Sequence, residues 1–171
     1  LPFVEAEGVV ARAWLWRVSL LLLIATVLVV GGMVGVQRAR QARWGPNIAL
    51  HAPVQTSSIS EYMSDVHGAV DGERATLGFH TREEHEPWLR IDLGHERPVR
   101  RVVVYNRVDC CRERALPLEV YVSKDGNTWQ LVSSRHERFT TWEASFSSVQ
   151  ARYVKVMSRA RTFLHLSEVE V

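Results

Sequence analysis

The stretch PWLRIDLG, residues Pro87–Gly94, alternates apolar Leu89, Ile91 and Leu93 with polar Arg90 and Asp92. A two-residue period sends alternate side chains to opposite faces of an extended chain, so the stretch reads as a half-buried strand that Gly94 is expected to end. Working outward, VRRVVVYN (99–106), LEVYVS (118–123), TWQLVSS (128–134), RYVKVMS (152–158) and LHLSEVEV (164–171) follow at similar spacing. Within SKDGNT, Asp125-Gly126-Asn127 supplies the turn chemistry of a tight hairpin. No stretch after residue 45 sustains a 3.6-residue period. Many short strands with frequent turn signals predict an all-β antiparallel jelly-roll sandwich.

Upstream the pattern changes. VSLLLLIATVLVVGGMVGV, Val18–Val36, runs 19 residues without a charge, close to the ~20 that cross a hydrocarbon core as a helix. Trp14 and Trp16 stand at one edge, and Arg38, Arg40, Arg43 and Trp44 at the other, as interface anchors would. A signal sequence and a buried core helix are the competing readings, but a signal h-region is shorter and is followed by a small-residue cleavage site. The expected organisation is a flank over 1–17, a transmembrane helix over 18–36, a basic juxtamembrane linker over 37–56 and a β-sandwich over 57–171. The chain opens on Leu1 rather than methionine, which leaves room for an upstream segment.

The net charge is +2 over 171 residues. Residues 1–44 hold five arginines and two glutamates, while 45–171 hold 16 Lys/Arg against 17 Asp/Glu. A near-neutral domain without a basic stripe argues against nucleic acid as partner. No phosphate-binding glycine loop, H-E-x-x-H or G-x-S-x-G is present, and no internal repeat. Any chemistry must come from scattered residues that the fold assembles.

NRVDCCRER, Asn106–Arg114, holds both cysteines of the chain, side by side among three arginines and an aspartate. Three active readings compete with two reduced core cysteines. A catalytic thiolate would gain from nearby arginines, yet Leu116 and Pro117 occupy the positions where a phosphatase-type loop carries its arginine. Metal ligation suits C-x2-4-C spacing better than adjacent residues. A disulfide between neighbours closes a minimal loop and so adds little chain-entropy stabilisation. It would instead offer a flat, apolar plate that persists in an oxidising compartment. Arg107 and Arg114 each carry a planar fork of donors suited to hydroxyls or a ring oxygen, and Asp109 is placed to orient one or both.

With these residues in place the chain resembles the F-type (fucose-binding) lectins, within the wider discoidin, galactose-binding-like jelly rolls. The family's motif is a histidine, about 26 residues, R-x-D, four residues and a basic residue. Here His80 is followed by residues 81–106, then Arg107-Val108-Asp109, residues 110–113 and Arg114, with Cys110-Cys111 inside the gap as in the family. The resemblance covers roughly residues 46–171, through AVDGERATLGFHT, EPWLRIDLG, ARYVKVMS and the closing LSEVEV. It implies that His80, Arg107 and Arg114 read the hydroxyls and ring oxygen of L-fucose. It further implies that Asp109 orients the arginines, a Cys110–Cys111 disulfide packs on the sugar ring, and Phe79 walls the methyl pocket, unless Phe79 is a core aromatic. It also implies a structural calcium held by Asp71 and Glu168 with carbonyls of Gly68 and Ser167. Against that, Glu73 replaces the usual asparagine and Leu77 a small hydroxyl residue.

The function expected from the resemblance is a non-enzymatic, membrane-anchored carbohydrate-binding module for fucosylated glycans. Clustering, as a homo-oligomer or on the membrane, would then supply avidity. Alternatives are a discoidin-like protein-interaction domain in a membrane complex and the targeting module of a larger enzyme. Two arginines precede the apolar run and three follow it, which weakly favours a cytoplasmic β-domain. An oxidised cysteine pair would place it on the extracytoplasmic side.

Overall fold

The computed structural model describes residues 3–61, 63 and 65–171, with the side chains of 3–14, 37, 38 and 40–44 outside the description. Trp14, Arg38, Arg40, Arg43 and Trp44, expected as interface anchors, therefore lie outside the described side chains. The chain divides into two compact units, Leu1–Pro46 and Asn47–Val171.

The first unit is a single helix, α1 (Phe3–Trp44). Its segment Leu15–Val36 is 22 residues long and apolar enough, by length and composition, to cross a membrane. The one hydroxyl near its middle is satisfied locally, Thr26 Oγ1 donating to the Leu22 carbonyl at 2.8 Å, as an apolar surrounding requires. The helix extends well beyond the 18–36 run, because the flanking Ala, Arg and Gln residues are themselves good helix formers.

Among the described residues the second unit holds nine strands: β1 (Val54–Thr56), β2 (Phe79–His80), β3 (Glu84–His85), β4 (Trp88–Asn106), β5 (Leu118–Ser123), β6 (Gln130–Arg135), β7 (Thr141–Ser158), β8 (Arg161–Thr162) and β9 (His165–Glu170). All pairings are antiparallel. The two long strands β4 and β7 form a ribbon that serves both layers. Its first half, Trp88–Asp92 against Tyr153–Met157, carries β1 on one side and β5–β6 on the other. Its second half, Arg101–Tyr105 against Thr141–Ser145, carries β9 and then β2.

Gly94 does not end the strand that begins at Trp88. The backbone passes through it at φ +83°, a conformation glycine adopts without steric cost, and the pairing register shifts between Asp92 and Arg97 before β4 continues to Asn106. Leu89, Ile91 and Leu93 do face the core, with Val102, Val104, Leu118, Val120, Trp142 and Val154. Asp92 points outward and holds Arg152 in a two-pronged pair at 2.8 Å. The hairpin at 124–127 forms as expected: the Asp125 carboxylate accepts from the Asn127 and Thr128 amides, and Gly126 takes φ +77°.

The globular unit starts earlier than residue 57. Ala49 and Ala52 lie in the core, and Ile48 donates its amide to the Val171 carbonyl at 2.9 Å. Asn47 Oδ1 accepts from both Ala49 and Val171 amides at 3.1 Å. The segment expected as linker is thus partly folded, its small residues filling space beneath the sheet that a polar tether would leave open.

Candidate functional site

One end of the sandwich carries the loop between β4 and the short 3-10 helix Arg112–Ala115. Asn106, 1% exposed at the end of β4, organises it. Its Oδ1 accepts from the Arg107 amide, and its Nδ2 donates to the carbonyls of Arg112 at 2.9 Å and Phe139 at 3.4 Å. Arg112 closes the loop from the other side, Nε donating to the Arg107 carbonyl and Nη2 to that of Val108. Within this clamp Cys110 and Cys111 form a disulfide. Cys111 takes φ +57°, turning the chain into the 3-10 helix, where the Arg114 amide donates back to the Cys111 carbonyl.

The guanidinium of Arg107 is gripped by Asp109 through two bonds of 2.7 and 2.6 Å. The pair raises the Arg107 pKa and holds the exposed Asp109 carboxyl well below the usual carboxylate range. Arg107 is thereby fixed in direction, with one edge of its fork used and the remainder available. Arg114 extends over the ring of Phe163, 5.7 Å from its centroid. Phe163 in turn meets His80 at 5.5 Å.

His80 sits on β2 directly opposite His165 of β9, the two rings 5.2 Å apart. Its Nδ1 lies 2.6 Å from the Thr81 carbonyl. A carbonyl only accepts, so Nδ1 carries the proton and, in the neutral ring, Nε2 presents a lone pair. The same reasoning applies to His165, whose Nε2 donates to the Cys111 carbonyl at 3.2 Å, leaving Nδ1 a buried acceptor without a partner. Burial pushes the His165 pKa down to about 4, and the charges of Arg107, His80 and Arg114 add to the depression. Of the three polar residues of the sequence motif, His80 faces His165, Arg114 reaches the Phe163 ring that also meets His80, and Arg107 is held by Asp109 next to the disulfide.

Of the two readings of Phe79, the structure shows the core aromatic. Phe79 is fully buried in the core; it neighbours His80 on β2, so its side chain leaves by the opposite face of the strand. The aromatic ring facing His80 is Phe163. His165, Phe163 and Asn106 were not singled out in the sequence. The strand LHLSEVEV shows His165 only as one polar residue in an apolar run, and its contact with His80 depends on a cross-strand register.

The second group of expected residues lies around the 3-10 helix His67–Val70 and the end of β9. Glu168 is fully buried, its carboxylate approached by the Gly72 amide but without a well-formed hydrogen bond. Burial pushes its pKa up to about 8; the Gly72 amide opposes this, and the charges of Asp71 and Glu170 add to it. The carbonyls of Gly68 and Ser167 converge on Gly78, where an added Cβ would stand 2.6 and 2.3 Å from them. Asp71 is exposed, its Oδ1 accepting from the Glu73 amide at 2.7 Å, and the Glu73 side chain is exposed. Among the described residues no three His, Cys, Asp or Glu side chains cluster as a metal site.

The depressed His165 pKa has a measurable consequence. The unfolded histidine takes up a proton near pH 6.5 and the folded one only near 4. Its contribution to stability is fully present above pH 6.5 and is lost as pH falls towards 4. Chemical denaturation of the parent and of His165→Gln at pH 7.5 and 4.5 isolates this loss: the stability of the parent relative to the variant should fall between the higher and the lower pH. Glu168, shifted the other way, acts with opposite sign and is common to both proteins.

A jelly roll presenting a preorganised polar cluster on its end loops has the architecture of a ligand-binding module. Residues 68–156 match the F5/8 type C family profile described as NedA-like, galactose-binding domain. Fucolectin-6 of Anguilla japonica is 25% identical over 172 residues, spanning 91% of each chain. The lectin domain of lectinolysin, solved in complex with Lewis B antigen, superposes with a TM-score of 0.65 at 30% identity, covering 75% of this chain and 96% of that one. A Streptococcus pneumoniae fucose binding module gives a TM-score of 0.65 at 30% identity, covering 74% and 94%. The chain belongs to this galactose-binding-like family and, within it, to the F-type lectins.

Proposed function

We propose that the Asn47–Val171 unit is a non-enzymatic lectin module that binds L-fucose at the end of a glycan. His80 facing His165, with Arg114 over the neighbouring Phe163 and Arg107 aimed by Asp109 beside the Cys110–Cys111 disulfide, carries this reading. A neutral sugar offers no net charge, so selectivity rests on several simultaneous hydrogen bonds and one apolar contact. His80 Nε2 accepts from a sugar hydroxyl, while the free edges of Arg107 and Arg114 donate to hydroxyl and ring oxygens. The disulfide and Phe163 supply the apolar surface. The likeness to a fucolectin and to two fucose- or Lewis-B-associated modules supports the same ligand class.

In this reading α1 anchors the module in a membrane, with the β-domain on the oxidising, extracytoplasmic side. Weak single sites gain avidity by clustering there, as a homo-oligomer or through lateral density. Isothermal titration of the full chain in a non-glycosidic detergent with L-fucose should show saturable binding that is lost on reduction of the disulfide. No heat at millimolar L-fucose from folded, oxidised protein would reject the proposal.

The oxygen donors at Glu168, Asp71 and the Gly68 and Ser167 carbonyls fit a calcium ion. A buried carboxylate without a well-formed hydrogen bond, with the Asp71 charge near enough to raise its pKa, suits a hard dication. Bound calcium would neutralise the carboxylates and tie the 67–71 segment to β9. Adding calcium to chelator-treated protein is expected to raise Tm, and Glu168→Gln is expected to remove the increment. An unchanged Tm in the unsubstituted protein would exclude the site.

A further inference from the structure

The outward face of the sheet formed by β4, β7 and β5 carries two cations without a carboxylate of their own. Arg90 on β4 and Lys155 on β7 stand directly opposite each other, between core residues Leu89, Ile91, Val154 and Val156. Like charges placed directly across a strand pair repel. Arg90 donates to Gln55 Oε1. The nearest carboxylates are spoken for, Asp92 by Arg152 and Glu86 by Arg159.

Aromatic rings wall this pair in. The Lys155 ammonium lies 4.3 Å from the Trp129 ring centroid and 5.0 Å from that of Tyr121. The Arg90 guanidinium lies 5.6 Å from the centroid of Tyr153. Such contacts soften a charge without neutralising it. Burial, and then the Arg90 charge, push the Lys155 pKa below that of an ordinary lysine.

Trp129 also lines a cleft of about 280 Å³, with Val122, Val149, Lys124, Asp125 and Gln150. The Asp125 carboxylate is consumed within the hairpin by the Asn127 and Thr128 amides. Lys124 meets Glu96 only at 3.8 Å, both side chains exposed, so it can turn to a ligand at small cost. The disulfide loop precedes β5 and this cleft lies past its other end, about 20 Å away for six residues at roughly 3.3 Å each. An apolar, amide-rimmed cleft suits a saccharide ring, and the cations beside it suit an anionic substituent on that ring. An acidic peptide or a lipid headgroup would meet the cations and leave the cleft unfilled.

We propose that this face is a second binding site, for a sulfated saccharide, its ring seated against Trp129 and a sulfate held by Arg90 and Lys155. The site stands independently of the fucose reading.

The test titrates the full chain, in a non-glycosidic detergent, with a heparin hexasaccharide, its desulfated counterpart, polyglutamate and phosphatidylserine-doped micelles. The sulfated hexasaccharide should bind most tightly and weaken as salt rises. Lys155→Gln and Arg90→Gln should each weaken it about tenfold, the worth of one charge-assisted hydrogen bond, while Lys155→Arg retains most of the affinity and L-fucose binding is unchanged in all three. Equal binding of the desulfated sugar, or tighter binding of polyglutamate or of the lipid, would overturn the proposal. So would full affinity in both Gln variants; should one of them not fold, the other decides. A chain that fails to bind L-fucose leaves this test intact.

Discussion

Arg107→Ala abolishes fucose binding to the limit of isothermal titration, with Tm within a few degrees of the parent. Two donors are lost from the site, and the Asp109 carboxylate that had aimed them is left as an unpaired negative charge where sugar oxygens must approach. The fold is modestly affected: Asp109 is exposed, so the ion pair contributes little, while the Arg107 side chain, 12% exposed, gives up some packing. Arg107→Lys is expected to weaken binding severely as well, since a single ammonium cannot satisfy Asp109 and still present a second fixed donor. Unchanged affinity in Arg107→Ala would remove Arg107 from the site and with it the role assigned to the R-x-D motif.

Phe79→Ala gives the opposite pattern. Its ring is fully buried in the core, and truncating such a side chain costs about 3–5 kcal/mol, through lost burial and the cavity left behind. Chemical denaturation should show that loss, while the fraction remaining folded binds L-fucose with near-parental affinity. Weakened binding at full stability would restore Phe79 to the methyl-pocket wall expected from the sequence. The two substitutions separate the strand's two faces, His80 serving the site and its neighbour the core.

How much of this was legible in the sequence follows from the range of the interactions. The alternation in Leu89, Ile91 and Leu93 and the turn at Asp125-Gly126 are local, and both appear in the structure. The spacing from His80 through Arg107 to Arg114 is likewise legible in the sequence, and the fold brings His80 and Arg114 to one ring, that of Phe163. The first half of β7 was missed: Thr141–Gln150 buries only Trp142 and Ala144 deeply, too few apolar residues to stand out. Gly94 misled because a glycine ends a strand in isolation, whereas here pairing with β7 resumes beyond the register shift. His165 and Asn106 act through cross-strand pairing and carbonyls far away in the chain, which no window of sequence contains.

The bonds that fasten Ile48 and Asn47 to Val171 bear on how the module responds to a pull. Tension applied through the segment entering at Asn47 reaches Val171 through two hydrogen bonds and then runs along β9. That strand spans about 20 Å at roughly 3.3 Å per residue, and it passes Glu168 before arriving at His165, which touches both His80 and the Cys111 carbonyl. A pull between the Asn47 segment and anything held at the disulfide loop would thus load one strand from end to end, and how long such a grip lasts would depend on force.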